Sequence, residues 1–284
     1  YQASALVHDD IIDKADERRG MPTPHRTLAD HHAARSWIGS STDFGRHSAI
    51  LVGDFLFSAA TAAADEQALT LREDCARTFV RRFADMHAEV ALGQYLDITA
   101  EQIPLDPERT DALSVSDSLE VALHKSAHYS VVHPALLGAI CAAPSFDRVA
   151  GLLDVLETIL TPWGLAFQLR DDDLGVFGDP AVTGKPAGDD LREGKRTALL
   201  ALTWEASSPA ERRALTDVLG VADASAEQIA AATDIVERNG RAAHEAEITR
   251  LVADGDAALE ASTFDEGARA MLRELCSILT ARRS

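Results

Sequence analysis

The stretch Phe146–Phe177, FDRVAGLLDVLETILTPWGLAFQLRDDDLGVF, decides the fold class that we predict for this chain. It reads as one long apolar helix with a bend near Pro162 and Gly164, and an acidic triplet lies near its end. Further helices are predicted before and after it, and no stretch shows convincing strand alternation. The sequence therefore predicts an all-α bundle.

Helical patterns cover most of the remaining chain. The segment 49–65 consists mainly of small residues and is predicted to be a buried helix. The segment 111–143 is predicted to be one long helix with a kink at Pro134. Ser225 and Gln228 have the spacing of a capping box at a helix start. The other predicted helices are 1–14, 71–98, 197–206, 225–240, 242–261 and one from 265 onward.

The composition constrains the partners and the compartment. The formal charge of −19 repels nucleic acid and anionic membrane surfaces, so anionic substrates require metal ions or basic groups at the site. Three cysteines without metal-ligand spacing fit a reduced, cytoplasmic protein, and we expect no transmembrane segment. We expect a single domain over 1–284, with an N-terminal segment missing because the chain opens within a helical pattern.

The first acidic cluster is the run His8-Asp9-Asp10-Ile11-Ile12-Asp13. On a helix, Asp9 and Asp13 project from one face, and Asp10 lies about a quarter turn away. Carboxylates this close repel one another, but they are hard oxygen ligands suited to Mg²⁺ shared with a substrate phosphate. Taken alone, the cluster fits a solvated helix end equally well, and His8-Asp9 also fits a metal phosphohydrolase that uses a His-Asp pair.

Two arginines, in Arg18-Arg19-Gly20, follow the first acidic cluster. Their guanidinium groups fit simple ion pairing with the neighbouring carboxylates. They equally fit the capture of a diphosphate, because the guanidinium fork matches phosphate oxygens bidentately. Both interpretations stay open at this point.

The second acidic cluster, Asp171-Asp172-Asp173, lies near the end of the long apolar helix. Lys185 and Lys195 follow it in a segment rich in glycine, proline and charge. Acids that hold metal ions, followed by lysines that neutralise phosphate oxygens, form the pattern that a diphosphate–Mg²⁺ complex needs. A charged surface loop would explain the lysines but not an acidic triplet after an apolar helix.

Together these motifs resemble the trans-isoprenyl diphosphate synthase (polyprenyl synthetase) family, in particular its geranylgeranyl diphosphate synthase-like members. The resemblance runs from Gln2 to about Thr197, and the joint order of the motifs is far more specific than any one of them. It implies a helical bundle of the isoprenoid-synthase type around a central cavity, with the two acidic clusters facing each other at its mouth. Further matching segments are Gly53-Asp54, Gly93-Gln94-Tyr95-Leu96-Asp97, Lys125-Ser126 and Phe167-Gln168.

The resemblance also implies roles for individual residues, with Mg²⁺ as the cofactor and three ions per site when substrate is bound. Asp9, Asp13 and Asp171 would be the metal ligands, and Asp10 and Asp172 would support them. Backbone and side-chain dipoles near Lys125 and Gln168 would stabilise the reacting carbons. The implied diphosphate-binding residues are Arg18, Lys125, Lys185 and Lys195 for the allylic substrate and Gln2 and Arg19 for isopentenyl diphosphate.

The implied activity is Mg²⁺-dependent head-to-tail transfer of an allylic diphosphate to isopentenyl diphosphate, by a homodimer. The chain departs from the family in two places. Gly175 stands where the second motif usually ends in Asp, and the Gly-Lys-x-x-Arg-type loop that grips isopentenyl diphosphate is not visible.

The residues before Asp9 predict the product length. In short-chain members of the family, a bulky aromatic residue four or five places before the first Asp closes the pocket. Here those places hold Ala5 and Ser4, which are small, and Tyr1 lies one turn deeper. The resemblance therefore predicts mainly a C20 product, geranylgeranyl diphosphate, with C15 and C25 or longer left open.

Three alternatives remain. A terpene cyclase of the same fold would lack an isopentenyl site and usually carries an Asn/Asp-x-x-Ser/Thr-x-x-x-Glu motif, where this chain has Asp171-Asp172 and downstream lysines. A non-catalytic subunit of a heteromeric synthase is expected to have lost its acids, whereas the first cluster is intact. A His-Asp phosphohydrolase needs further histidine ligands, for which His31-His32 are the candidates.

Overall fold

The computed structural model describes residues 1–179, 188–221 and 223–280, and the chain forms two compact units. The first unit contains Tyr1–Leu71, and the second contains Arg72–Gly178 and the described residues from Gly188 onward. Within these described ranges both units are built almost entirely from helices, which confirms the all-α fold. The single domain expected over 1–284 stays a prediction.

The first unit is a set of three helices with a short hairpin between the first two. Its longest helix, α3, packs against both α1 and α2. The hydroxyl of Ser4 donates to the carbonyl oxygen of Gly53 at 2.8 Å, which fixes the start of α1 on the middle of α3. The elements of this unit are α1 Gln2–Ile12, β1 Glu17–Arg18, β2 Met21–Pro22, α2 Pro24–Ala34 and α3 Ser41–Ala68.

The glycine and prolines of the segment Asp16–Pro24 predict a polar turn there, but the two short strands of the hairpin were not predicted. Glu17 pairs with Pro22 and Arg18 with Met21 in antiparallel register. The two residues of the turn, Arg19 and Gly20, have φ values of 55° and 72°. A two-residue turn with positive φ at both positions matches the right-handed twist of the strands, and glycine adopts that conformation without steric cost. The Arg-Arg-Gly run is therefore a hairpin turn that presents its first arginine from a paired strand.

Helix α3 is longer and more exposed than the prediction for 49–65. Its buried residues near the start form a narrow stripe of Gly45, Ala49 and Gly53. Larger apolar side chains point elsewhere, with Leu51 68% and Phe55 72% exposed. The expectation of a buried helix is wrong, because small residues here mark one close helix contact rather than burial on all sides.

The second unit surrounds the long helix α7, whose bounds are those predicted. It also contains a short 3₁₀ turn, Thr110–Ala112, and a π-helix, Leu123–Val132. The α-helices of this unit are α4 Glu73–Gln102, α5 Val115–Ala122, α6 His133–Ala142, α7 Phe146–Phe177, α8 Asp189–Glu193, α9 Ala198–Ala206, α10 Pro209–Thr216, α11 Ala226–Asn239, α12 Arg241–Ala261 and α13 Glu266–Thr280.

The core of the second unit lies along α7, which packs against the π-helix and α12. Trp163 is fully buried on α7 and donates its indole N–H to the carbonyl oxygen of Val252 at 3.3 Å. A second fully buried tryptophan, Trp204 on α9, donates to the carbonyl oxygen of Arg109 at 2.9 Å. The buried ring of Trp163, with its polar N–H satisfied, fixes α7 against α12 and hence positions the acidic triplet near the end of α7.

The segment 111–143 differs from the single kinked helix that was predicted. It runs through α5, the π-helix and α6, so the irregularity lies before Pro134 rather than at it. Pro134 is the second residue of α6 and follows the π-helix directly, so its missing N–H falls where the helical hydrogen-bond pattern changes. Because π-helical turns are rare and frequently found at functional sites, Leu123–Val132 is of particular interest.

Among the described residues, two helices are long and apolar enough, by length and composition, to cross a membrane. These are α3 and α7. In the most apolar 18-residue stretch of each helix, 17% of α3 and 44% of α7 is buried. The sequence prediction of no membrane span is therefore not tested by this measure, since core helices of soluble proteins satisfy it as well. The cytoplasmic location stays a prediction.

Candidate functional site

In the first unit, the acidic cluster at the end of α1 contacts the hairpin. Arg18 donates from Nε to Oδ1 of Asp10 at 2.6 Å and from Nη2 to Oδ2 of Asp9 at 2.9 Å. The side chain of Asp10 is only 3% exposed, whereas that of Asp9 is 25% exposed. Burial raises the pKa of Asp10 despite the hydrogen bond from Arg18. Arg18 therefore bridges one buried and one accessible carboxylate.

The other predicted members of this cluster are more accessible. Asp13 caps the C-terminus of α1, where its backbone N–H donates to the carbonyl oxygen of Asp9 at 2.8 Å. Asp13 is half-buried, and Arg19 and Gln2 are exposed. Both Asp9 and Asp13 thus present carboxylates that a ligand can reach, while Asp10 is turned inward. This division was predicted only in part, because the burial of Asp10 depends on its packing against other elements.

The histidines near this cluster have structural contacts. Nε2 of His8 lies 3.4 Å from the carbonyl oxygen of Ile50 and 3.4 Å from Oδ1 of Asp54, on α3. Nε2 of His32 lies 3.2 Å from the carbonyl oxygen of Ile38, and the His32 ring packs edge-on against Trp37. These contacts give no support to a His-Asp metal pair with His31-His32 as further ligands.

The residues expected to set the product length occupy different faces of α1. Ser4 is buried and bonded to Gly53, so its side chain faces α3. Ala5 is half-buried and stands four positions before Asp9, which places the two on one side of the helix. The ring of Tyr1 contacts that of Phe57 edge-on, with centroids 6.1 Å apart, and burial raises the pKa of Tyr1 to about 12.

In the second unit, two lysines expected to bind diphosphate converge on one carboxylate. Lys125 of the π-helix forms a short hydrogen bond to Oδ2 of Asp97 on α4. Lys195 lies 3.4 Å from the same oxygen and 3.1 Å from Oε1 of Glu101. Burial pushes the pKa of Asp97 up, but the two ammonium groups outweigh it and hold that pKa below its usual value. The role of Asp97 was missed, although its motif was recognised.

A close helix contact explains how Lys125 reaches Asp97. A Cβ atom at Gly93 would lie 2.3 Å from the backbone nitrogen of Lys125, so only glycine allows this approach of α4 to the π-helix. Asp97 follows Gly93 by one helical turn on the same face. In the motif Gly93-Gln94-Tyr95-Leu96-Asp97, the glycine therefore allows the close helix contact, and the aspartate binds the lysine.

The acidic triplet of α7 divides into three environments. Asp171 is exposed and accessible to a ligand. Asp172 is buried and accepts a hydrogen bond of 2.7 Å from Nε2 of Gln168. Asp173 is buried and forms an ion pair with Arg241, with Nε 2.9 Å from Oδ1, so it has a structural role.

Several other carboxylates lie near Asp172. Burial first, and then the carboxylates of Asp190, Asp171 and Asp97, raise its pKa well above the usual value, while Gln168 opposes the rise. Asp190, on α8, belongs to the charged segment between Lys185 and Lys195, and the sequence alone assigned it no role. A buried carboxylate that is repelled by neighbouring carboxylates is an arrangement that bound cations relieve, and oxygen ligands of this kind suit Mg²⁺. The residues of this part of the site therefore fit the magnesium that the resemblance implies.

Lys185, the remaining predicted diphosphate-binding residue, lies outside the described residues. Within the described ranges, the second unit brings together Lys125, Lys195, Gln168, Asp171 and Asp172. In the first unit, Asp9, Asp10 and Arg18 form one connected group. In such groups the carboxylates can bind metal ions, while the neighbouring Lys and Arg side chains bind the oxygens of a phosphate ester.

Comparisons with known proteins extend over most of the chain. The family model described as "Polyprenyl synthetase" matches residues 1–236. The crystal structure of geranylgeranyl pyrophosphate synthase from Corynebacterium glutamicum, complexed with isoprenyl diphosphate and magnesium, is 38% identical with a TM-score of 0.87. That match covers 99% of this chain and 76% of the other.

Two curated relatives carry names for different products. Geranylfarnesyl diphosphate synthase of Aeropyrum pernix is 31% identical over 83% of this chain, and (2E,6E)-farnesyl diphosphate synthase of Mycobacterium bovis is 31% identical over 88%. The matches cover 64% and 62% of those proteins, so the chain spans somewhat under two thirds of their length. The family model, its span and the fold agree, and the chain belongs to the polyprenyl synthetase family.

Proposed function

We propose that this protein is a magnesium-dependent prenyltransferase that condenses isopentenyl diphosphate with an allylic diphosphate. The observation that carries the proposal is the group around Asp172, which is buried, accepts a hydrogen bond from Gln168 and lies near the carboxylates of Asp190, Asp171 and Asp97. Lys125 and Lys195 are paired with Asp97, one of those carboxylates. Cations and phosphate oxygens brought by a substrate complex would satisfy both the acids and the lysines.

The side chains have separate tasks in this reaction. Bound Mg²⁺ supplies positive charge that stabilises the departing diphosphate, and Asp9, Asp13 and Asp171 would be its protein ligands. Lys125 and Lys195 would turn from Asp97 to bind the allylic diphosphate. Arg18 of the hairpin and Lys185 would bind the same diphosphate. Arg19 and Gln2 would bind isopentenyl diphosphate. Three ions per site and a homodimer are part of this proposal.

The bond changes need no nucleophilic side chain. The allylic C–O bond breaks with its electron pair on the diphosphate, and the amide of Gln168 is oriented by its hydrogen bond to Asp172. The double bond of isopentenyl diphosphate then forms the new C–C bond, and a proton leaves to the released diphosphate. The product proposed is C20 geranylgeranyl diphosphate, supported by the name of the 38% identical Corynebacterium glutamicum enzyme.

Product analysis with labelled isopentenyl diphosphate, Mg²⁺ and each allylic primer tests the proposal. We expect a labelled prenyl diphosphate, and Asp9→Ala and Asp171→Ala should each reduce turnover by roughly 100-fold or more, as removal of a main charge-stabilising group does. Asp30→Ala on α2 and Asp154→Ala on α7, both exposed, are the matched controls. A hydrocarbon product without labelled isopentenyl units would indicate a cyclase, and no product at all would indicate a non-catalytic subunit.

A further inference from the structure

Three histidines surround one glutamate in the second unit, at a place to which the motifs assign no role. Nδ1 of His124 lies 2.6 Å from Oε1 of Glu89, and Nδ1 of His128 lies 2.5 Å from the same oxygen. Nε2 of His133 lies 2.6 Å from the other oxygen, Oε2. Glu89 belongs to α4, the first two histidines to the π-helix and the third to α6.

The orientation of His124 is that of a metal-binding histidine. Its second ring nitrogen, Nε2, lies 3.1 Å from Oε1 of Glu120, one turn earlier in the chain. When Nε2 carries the proton and donates to Glu120, Nδ1 directs a lone pair toward Glu89. A carboxylate that accepts from one ring nitrogen while the other binds the ion is the usual outer-shell support of metal-bound histidines.

The spacing of the donor atoms also fits an ion. One donor atom each from Glu89, His124 and His128 forms a group in which all separations are within 4.8 Å. Ligand atoms about 2.0–2.2 Å from a tetrahedral ion lie roughly 3.3–3.5 Å from one another, so shifts of about 1 Å would open the group to receive one. The side chains of Glu89 and His128 are 19% and 16% exposed, which leaves a path for entry.

We propose that Glu89, His124 and His128 bind one divalent transition-metal ion, with Zn²⁺ as the ion that this ligand set suits. His133 orients Glu89 by donating to its other oxygen and is itself buried, with a side chain 5% exposed. Imidazole nitrogens with one carboxylate favour zinc and its transition-metal neighbours, whereas Mg²⁺ takes oxygen ligands. The proposed site is therefore chemically distinct from the aspartate clusters.

The position of this site gives it a structural consequence. Glu89, Gly93 and Asp97 follow one another at intervals of four along the same face of α4. His124 directly precedes Lys125, which that face contacts through Asp97. An ion bound here would tie α4 to the π-helix at the turn that presents Lys125.

The competing explanation is a hydrogen-bonded network without metal, in which one carboxylate accepts from three imidazoles. Hydrogen bonds from these histidines outweigh burial and hold the pKa of Glu89 well below its usual range, which such a network also requires. The two explanations make different predictions. Only the metal site would bind one ion per chain through nitrogen ligands.

The test uses the full chain without an affinity tag, stripped of metal and kept in millimolar Mg²⁺ to occupy the aspartates. Equilibrium dialysis against Zn²⁺ in this Mg²⁺ buffer should show one tightly bound Zn²⁺ ion per chain, and the thermal midpoint should rise with it. Co²⁺ in place of Zn²⁺ should give the visible absorption of a four- or five-coordinate site with nitrogen ligands, a measurement that requires no variant.

The variant His124→Gln/His128→Gln should weaken Zn²⁺ binding by about 100-fold and abolish the Co²⁺ absorption, since two nitrogen ligands are lost. His47→Gln, an exposed histidine of α3, is the matched control and should leave both unchanged. Absence of stoichiometric Zn²⁺ binding by the parent chain would overturn the proposal. Binding that survives in the double variant, or six-coordinate Co²⁺ with oxygen ligands only, would overturn it equally.

Discussion

The carboxylate of Asp190 occupies the space that a side chain at position 175 would need. A Cβ atom on Gly175 would lie 2.1 Å from Oδ2 of Asp190 and 2.4 Å from its Cγ. The family's second motif usually has a carboxylate at position 175, and here α8 brings one to the same place from Asp190. The same residue raises the pKa of Asp172, so this carboxylate belongs to the charged group of α7.

Gly175→Asp is therefore expected to lower activity rather than improve it. The new side chain would displace Asp190 and add like charge beside Asp172, which we expect to reduce turnover by about tenfold, or about 1.4 kcal/mol of barrier. Steady-state turnover measured across a Mg²⁺ titration checks this. Gly175→Ala is the matched control, because it displaces Asp190 without adding charge and should lose less. A gain of activity in Gly175→Asp would contradict the assignment of Asp190 to the missing carboxylate's place.

Asp97→Asn should destabilise the second unit. The substitution leaves Lys125 and Lys195 without the carboxylate on which both converge, and removing one partner of a buried charge group is costly. We expect the free energy of unfolding to fall by about 2 kcal/mol. This is less than the cost of breaking a fully buried ion pair, because Lys125 is partly exposed. Urea denaturation measures it, with Asp85→Asn, exposed on the same helix, as the control.

Inorganic diphosphate should reverse part of that loss. Its oxygens would supply the negative charge that Asp97 provided, so diphosphate with Mg²⁺ should raise the urea midpoint more in Asp97→Asn than in the parent chain. Equal shifts in the two chains would show that the lysines do not bind diphosphate. An unchanged stability of Asp97→Asn without ligand would show that the lysine–carboxylate group contributes little.

The structure shows why some of these features could be predicted and others could not. The bounds of α7 and its acidic triplet followed from a local apolar pattern, and Ser225 and Gln228 do form the predicted capping box. The convergence of Lys125 and Lys195 on Asp97 joins residues 28 and 98 positions apart, so it depends on tertiary packing. The π-helix likewise could not be predicted, because its wider turns have no periodic sequence pattern that distinguishes them from an α-helix.

Because His244 is buried, we expect the free energy of unfolding to decrease in acid. This histidine lies on α12, and burial lowers its pKa from 6.5 to about 4. Between those values the unfolded chain binds a proton that the folded chain does not, so the free energy of unfolding decreases as the pH falls from about 6.5 to 4. The depression of the pKa corresponds to about 3 kcal/mol in total, with no further loss from this group below pH 4.

Denaturant unfolding at a series of pH values measures this contribution. Subtracting the profile of His244→Gln from that of the parent should give a difference that changes by about 3 kcal/mol over the window and is flat above pH 7. The groups facing His244 from α7 are Asp173 and Arg170, and neither is altered by the substitution. His47→Gln should leave the profile unchanged, and parallel profiles for His244→Gln and the parent would refute the prediction.

Product length provides the last prediction, and the structure selects Ala5 over Ser4 as the residue to change. Because the Ser4 hydroxyl is bonded to Gly53, a phenylalanine at position 4 would collide with α3, and Ser4→Phe should lower the thermal midpoint. Ala5 shares the side of Asp9, and one turn of about 5.4 Å is close to one isoprene unit. Ala5→Phe should therefore shorten the product from C20 to C15, and Tyr1→Ala should lengthen it.

Chromatography of the prenyl products, with thermal midpoints measured in parallel, decides between these residues. Ala3→Phe is the matched control, because Ala3 is exposed on the same helix and an aromatic ring there should change neither product nor stability. If Ala5→Phe gives the parental chain length while a stably folded Ser4→Phe gives a shorter one, the floor of the pocket lies on the α3-facing side of α1. If none of the variants changes the chain length, α1 does not form that floor.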